Sequence, residues 1–340
     1  MSVENRVELK LPIINSFLVQ TLYEGRRTLE ESYRTRECSE ELKIPIEAII
    51  SSGDYNNIIK DYGKEGKYKD IFEIEKVKDK RGKEKLHITG IKLTNLCRKV
   101  LGKGQLKISF DVLRGIELYL RNQEPIGPYI SLNLAKLNFY QKLNIYEFGM
   151  PDIKGGLKLD LAAFVLFVYG LNRGFLKKLD RNTYLFAFFD VNALMYNADL
   201  IVDKHKLFDK IKEYIGGDFD VRIATLALFK YGEIDDNLRL WGNLLLYFYT
   251  VAEVGKVFQI TSVNGIDIAG LASIKSNKEV YSYIDKIVTE TNLRRAKEFI
   301  LYRIGKYKPY YDAMIRLYAY VMTGNPVYVY MARRSLSEMY

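Results

Sequence analysis

Asp190 closes the apolar run TYLFAFFD, with Asp199 and Asp203 downstream of it. A carboxylate at the end of a buried strand, joined by others, is how metal-dependent nucleases and polymerases hold Mg²⁺. The same aspartate equally suits a turn or the cap of a following helix. Other chemistry-bearing residues are few. The histidines are His87 and His205 and the cysteines Cys38 and Cys97, none near another in sequence, which excludes a close-spaced four-ligand zinc site. No GxSxG, HExxH, GxxxxGK[ST] or GxGxxG occurs, and the Gly102-Lys103-Gly104 step lacks the Ser or Thr of a phosphate loop. His205, between two lysines, reads as part of a solvated helix face. His87 sits among cations and can donate to a phosphate. Asp235-Asp236 reads as the cap of a helix containing Trp241.

The stronger chemical signal is charge. The chain carries 52 Lys and Arg against 42 Asp and Glu, a net +10 that is unevenly distributed. Between Lys60 and Lys107 there are 15 cations and 7 acids, and between Arg294 and Arg334 there are 9 and 2, so the remainder is mildly acidic. The first cluster centres on Lys76, Lys78, Lys80, Arg81, Lys83 and Lys85, with Arg98, Lys99, Lys103 and Lys107 beyond. Alternation predicts Lys76, Lys78 and Lys80 on one side of a β-ribbon, which can follow a groove and contact phosphates. Lysines on an edge hairpin also serve simply to prevent strand-to-strand association. In the second cluster, a helix from Asn292 gathers Arg295, Arg303 and Lys306 on one face with Tyr302 and Phe299, a cation–aromatic mixture suited to backbone and unstacked bases. Tyr310, Tyr311, Arg316, Arg333 and Arg334 extend it. The competing reading makes the aromatics core and the cations a solvated face.

The elements that must position these groups follow from pattern. Ile13, Ile14, Phe17, Leu18 and Leu22 recur at helical spacing, and a second helix is expected from Ser39, interrupted by Pro45. IFEIEKVK and KLHITGIKL, joined by Asp79-Lys80-Arg81-Gly82-Lys83, predict a hairpin over 71–93 with Gly82 supplying positive φ. Helices are expected at 109–122, 131–145, 198–215, 220–231, 236–254, 278–289, 292–306, 310–322 and 326–338, a buried helix at 159–178, and a strand at 183–191. Asn264-Gly265 predicts a hairpin turn inside 257–268. The fold class is α+β: a mixed α/β region with the basic hairpin over 1–150, then, after Gly155-Gly156, a mainly helical domain over 151–340 with a short β insertion.

At 340 residues with 48% hydrophobic and 28% charged residues, the chain can build a sizeable core. Its first residues lack a signal peptide's apolar core, and the uncharged runs 161–171 and 240–252 fall short of a bilayer span, so a cytoplasmic protein making no membrane contact is expected. Two buried free thiols are the simpler reading of the cysteines, with a single Cys38–Cys97 bridge as the alternative. Abundant Lys and Glu with scarce Cys and His match the composition of hyperthermophile proteins.

Taken whole, the chain resembles the large subunit of archaeal subtype I-A CRISPR effector (Cascade-like) complexes. The likeness lies in the length, the mixed first half with its basic hairpin, the apolar GLKLDLAAFVLFVYGLNRG, and the basic-aromatic end NLRRAKEFILYRIGKYKPYYDAMIRLYAY…MARR. It implies a non-catalytic subunit without cofactor in an antiviral defence ribonucleoprotein. Such a subunit holds the 5′ handle of the CRISPR RNA, reads the protospacer-adjacent motif of target DNA, meets backbone and handle-binding subunits, and recruits a separate helicase–nuclease. The residues expected to touch nucleic acid rest on charge and geometry: Lys76, Lys78, Lys80, Arg81, Lys83, Lys85, Arg98, Lys99, Lys103, Arg295, Tyr302, Arg303 and Lys306. Two other readings stand beside it: a metal-dependent nuclease or nucleotidyltransferase centred on Asp190, and an interaction protein whose many tyrosines serve protein interfaces.

Overall fold

The computed structural model describes residues 8–10, 17–35, 38, 42–62, 68–101, 107–110, 120–121, 128, 130–133, 158–195, 202–216, 219–255, 257–291, 293 and 308–337. The chain is α+β and divides into two compact units. The first comprises Met1–Phe175 with Val251–Thr261, and the second Leu176–Thr250 with Ser262–Tyr340.

In the first unit, strand β1 (Glu8–Lys10) precedes helix α1 (Phe17–Thr35), whose Phe17, Leu18, Leu22 and Leu29 are buried. Pro45, in extended backbone, is the N-cap of the short α2 (Ile46–Ile49), and α3 (Ser52–Tyr62) follows; of the helix expected from Ser39, residues 42–45 are non-helical and 39–41 lie outside the described residues. Strands β2 (Phe72–Lys78) and β3 (Glu84–Ile91) form the expected hairpin, and α4 (Leu93–Leu101) leaves directly from its foot. Strands β4 (Lys107–Phe110) and β5 (Leu120–Arg121) join β1 in a three-stranded sheet, β4 parallel to β1 and antiparallel to β5. Strands β6 (Ile130–Ser131) and β7 (Lys158–Leu159) pair antiparallel. Extended backbone therefore occupies 109–110, 120–121 and 131, Leu132 forms an isolated bridge with Ile50 and Asn133 is a bend, where helices were expected; the remaining residues of both expected helices lie outside the described residues.

Helix α5 (Leu161–Gly174) is the centre of this unit. Its sequence is apolar all round, so every residue but Arg173 is buried. The Asp160 side chain caps it, accepting the Ala163 N–H at 2.9 Å. It packs on α1 through two glycines. A Cβ on Gly170 would lie 1.7 Å from the Thr21 carbonyl oxygen, and one on Gly25 would lie 1.8 Å from that of Leu166. Arg173 Nε donates to the buried Glu24 carboxylate at 3.3 Å.

Cys38 and Cys97 are joined by a disulfide, their Cα atoms 5.9 Å apart, which corrects the expectation of free thiols. Helix α4 turns Cys97 inward with Leu93, Leu96 and Val100, and Cys38 is buried as well. A separation of 59 residues says nothing of such proximity beforehand.

The second unit is built on a sheet ordered β11-β10-β9-β8: β8 (Phe175–Asp180), β9 (Thr183–Phe189), β10 (Leu245–Val254) and β11 (Val257–Asp267). Phe175 and the far ends of β10 and β11 are counted with the first unit. Three expectations are corrected here. The buried helix ends at Gly174 and the chain continues as β8, in which Leu176 and Leu179 pack on the core while Lys177 donates to the Ile215 carbonyl at 2.7 Å. LLYFYTVAEV, expected as helix, is strand β10, its β-branched and aromatic residues suiting a pleated, half-buried surface. The turn of that hairpin is at Gly255, with φ of 71°, while Asn264-Gly265 lies inside continuous strand.

Around the sheet lie α6 (Val191–Met195), α7 (Lys204–Asp209), α8 (Val221–Tyr231), α9 (Ile268–Ser276), α10 (Lys278–Glu290), α11 (Lys308–Thr323) and α12 (Val327–Ser337). Their cores meet in one cluster containing Phe189, Phe229, Phe248, Leu271, Ile284 and Leu317. Among the described residues, no helix is long and apolar enough to cross a membrane.

Candidate nucleic-acid interface

The β2–β3 arm is rooted at its foot and exposed at its tip. Phe72, Ile88 and Ile91 are buried, and the Phe72 ring meets Phe164 of α5 edge-on at 6.3 Å. From α3, the Tyr55 hydroxyl accepts the Ile88 N–H at 3.0 Å, and its ring stands 5.8 Å from that of His87. His87 Nε2 lies 3.2 Å from the Glu47 carboxylate of α2, so this histidine fastens the arm to the body of its unit.

The tip is a three-residue loop. Asp79 and Lys83 close it, with Asp79 N–H donating to the Lys83 carbonyl at 2.9 Å and Gly82 N–H to the Asp79 carbonyl at 2.8 Å. Gly82 has φ of 75°, the left-handed position that such loops require. The Asp79 carboxylate organises the rest: Oδ1 accepts the Arg81 N–H at 2.8 Å and the Lys83 N–H at 3.0 Å. These two backbone donors, with Lys85 beside them, hold the Asp79 carboxyl below the usual carboxylate range.

The register shows what the cations face. Lys76 pairs across the ladder with Leu86, and Lys78 with Glu84, so these share one side of the ribbon; Glu75, Val77, Lys85 and His87 share the other. Lys80 belongs to the loop, and strand alternation stops at Lys78, which corrects the expectation of one basic side. Lys76 is 3.5 Å from the Glu84 carboxylate and Lys85 3.3 Å from that of Asp79. Lys78, Lys80, Arg81 and Lys83 face no carboxylate within 4 Å among the described residues. The unopposed positive charge therefore sits at the tip. Arg98 and Lys99, on the exposed side of α4, likewise have no acidic partner among the described residues. Lys103, Arg295, Tyr302, Arg303 and Lys306 lie outside the described residues.

In the described part of the later basic region, Arg316 and Arg333 are engaged internally. Arg316 Nη1 donates to the Met331 carbonyl at 2.7 Å and also to the Ser335 hydroxyl, tying α11 to α12. Arg333 lies over the Tyr283 ring and donates to its hydroxyl at 3.0 Å. Tyr311 receives Arg222 in the same manner, its hydroxyl accepting at 3.0 Å. Arg316 and Tyr311 thus belong to helix packing, a role their place in a basic-aromatic run did not disclose.

Asp190 is buried, and its Oδ1 accepts the Ala193 N–H at 2.9 Å, capping α6. Asp203 caps α7 through Lys206 N–H at 3.0 Å, Asp235 accepts the Asn237 N–H at 2.8 Å, and Asp199 lies outside the described residues. Among the described residues, no group of three or more His, Cys, Asp or Glu side chains stands together as a metal site.

Sequence reading missed Asp79 as the organiser of the tip and Tyr55 as an anchor at the foot. The spacing of Asp79 to Gly82 carried the first signal, since Asp before an αL glycine is turn chemistry; nothing local marks Tyr55. A scan against protein-family models and a search of curated proteins both find no match to this chain.

Proposed function

We propose that this protein is a non-catalytic nucleic-acid-binding subunit whose β2–β3 arm lays its tip against a phosphate backbone. The observation that carries the reading is the set of four tip cations, Lys78, Lys80, Arg81 and Lys83, none of which has a carboxylate within 4 Å among the described residues, the Glu84 opposite Lys78 being paired with Lys76 instead. An ammonium or guanidinium with no acidic neighbour is attracted to any polyanion and releases counterions when it binds. The arm's rooted foot limits the loss of freedom on binding, and Arg98 and Lys99 offer further charge on the element that leaves that foot. Asp190 and Asp203 act as helix caps, which favours binding over metal-dependent hydrolysis.

The resemblance to the large subunit of subtype I-A CRISPR effector complexes supplies the setting: a ribonucleoprotein in which the arm contacts the CRISPR RNA handle or the target duplex. Isolation of the tagged full-length protein from its native cells tests this setting. The expected result is co-purification of guide RNA bearing a repeat-derived 5′ handle, together with backbone subunits. Recovery of the protein free of RNA and of such partners would contradict it.

A further inference from the structure

We infer that a cleft at the foot of the arm binds an unpaired guanine base. The inference rests on the nucleic-acid reading above and adds base selectivity to it. Glu73 pairs with Gly90 and Ile74 with Ile88, so Thr89 is an extra residue in β3. A bulge of this kind re-aims the side chains beside it. Thr89 Oγ1 is turned to the Glu73 carbonyl at 3.4 Å. Across the ladder, Gly90 has no side chain and the Glu73 carboxylate lies over it: a Cβ there would stand 2.7 Å from Oε2. The cleft has a volume of about 610 Å³, and Glu73, Thr89, Gly90, Lys92, Thr94 and Asn95 are among its lining residues. That volume accommodates a nucleobase.

The Glu73 carboxylate has no cation or hydrogen-bond donor among the described residues. The nearby Lys92 ammonium donates instead to the Lys69 carbonyl at 2.9 Å. An acid left unpaired in a basic region repels phosphate but accepts a base edge. Guanine brings two donors side by side, N1–H and the N2 amino group, matching the two oxygens of a carboxylate. Adenine places an acceptor there, uracil sets a single N–H between two carbonyls, and cytosine sets its amino group beside an acceptor nitrogen. That edge of guanine is free only when the nucleotide is unpaired, so the strand is single where it enters the cleft. From the cleft to the tip the arm runs about 20 Å, at the rise of a β-strand. A strand bound at both places would lie along the ribbon.

The test is fluorescence anisotropy of the full-length protein with short oligouridine RNA carrying one guanosine, inosine or adenosine. Inosine keeps N1–H and lacks the amino group. The wild-type protein is expected to bind the guanosine oligomer about tenfold more tightly than the adenosine oligomer, with inosine between them. Glu73→Gln is expected to abolish the preference and retain salt-sensitive affinity. Gly90→Ala is expected to do the same, because the new Cβ meets the mobile end of the Glu73 side chain and displaces it while leaving the backbone unstrained. Equal wild-type affinity for the guanosine and adenosine oligomers overturns the cleft and leaves the tip standing. Absence of binding to every oligomer overturns both. A preference that persists in both variants overturns the role of Glu73.

Discussion

Asp79 sets the geometry of the tip while leaving its cations free. The carboxylate accepts two backbone N–H groups of residues whose own side chains are cationic, so charge and turn are built from the same few residues. Its carboxyl is held below the usual range first by those N–H donors and then by Lys85. A depressed carboxyl stabilises the folded turn while ionised. The contribution is complete above the ordinary aspartate range and is lost as pH falls through the lowered value. NMR titration of the full-length protein should therefore show the Arg81 and Lys83 amide signals moving with a midpoint below that of an unperturbed aspartate, and Asp79→Asn should abolish the movement. A midpoint at or above the ordinary value would contradict this account of the tip.

At the scale of elements, the contact between α1 and α5 depends on the absence of two side chains. Alanine in a helix interior normally stabilises by about 1 kcal/mol over glycine. At Gly170 or Gly25 the sign reverses, since the new Cβ would overlap a carbonyl oxygen of the facing helix and force the two apart. The expected cost is about 2–3 kcal/mol, read as a lower midpoint of thermal unfolding. Gly53 in α3, where a Cβ would meet only the Ser51 hydroxyl at 4.0 Å, provides the control: alanine there is neutral or slightly stabilising. If Gly170→Ala and Gly53→Ala behave alike, the close approach is wrong.

How much of these elements is legible in sequence depends on whether the governing contact is local. The arm is readable because strand alternation, Asp79 and Gly82 lie within a few residues. The helix 161–174 is readable because its apolar run is too long for a strand. LLYFYTVAEV is ambiguous: aromatic and aliphatic residues fit either period, and only its neighbours in the sheet decide for strand. At the interface, the cations are visible in composition. The pairing of Lys76 with Glu84 and of Lys85 with Asp79 depends on ladder register, which narrows a basic ribbon to a basic tip. The bulge that aims Glu73 into its cleft leaves no local mark, because glycine and threonine occur in ordinary strands as well.

At the scale of the whole molecule, two compact units carry different chemistry. The first holds the arm, the cleft and α4, and its disulfide closes the stretch of chain that contains all of the arm. Cross-linking of that kind limits the freedom of the unfolded chain and helps keep the foot in place. In the described part of the second unit, Arg222, Arg316 and Arg333 are engaged with neighbouring side chains and carbonyls. The four tip cations, by contrast, all belong to the first unit. The central claim is that the four tip cations neutralise phosphates, and the salt dependence of binding tests it most directly. The wild-type protein and a variant with Lys78, Lys80, Arg81 and Lys83 replaced by alanine are to be titrated with one nucleic acid over a range of salt concentrations. The account predicts that the logarithmic slope flattens by roughly three in the variant, about 0.7–0.9 for each phosphate that is no longer neutralised. An unchanged slope, with affinity unchanged at every salt concentration, would contradict it.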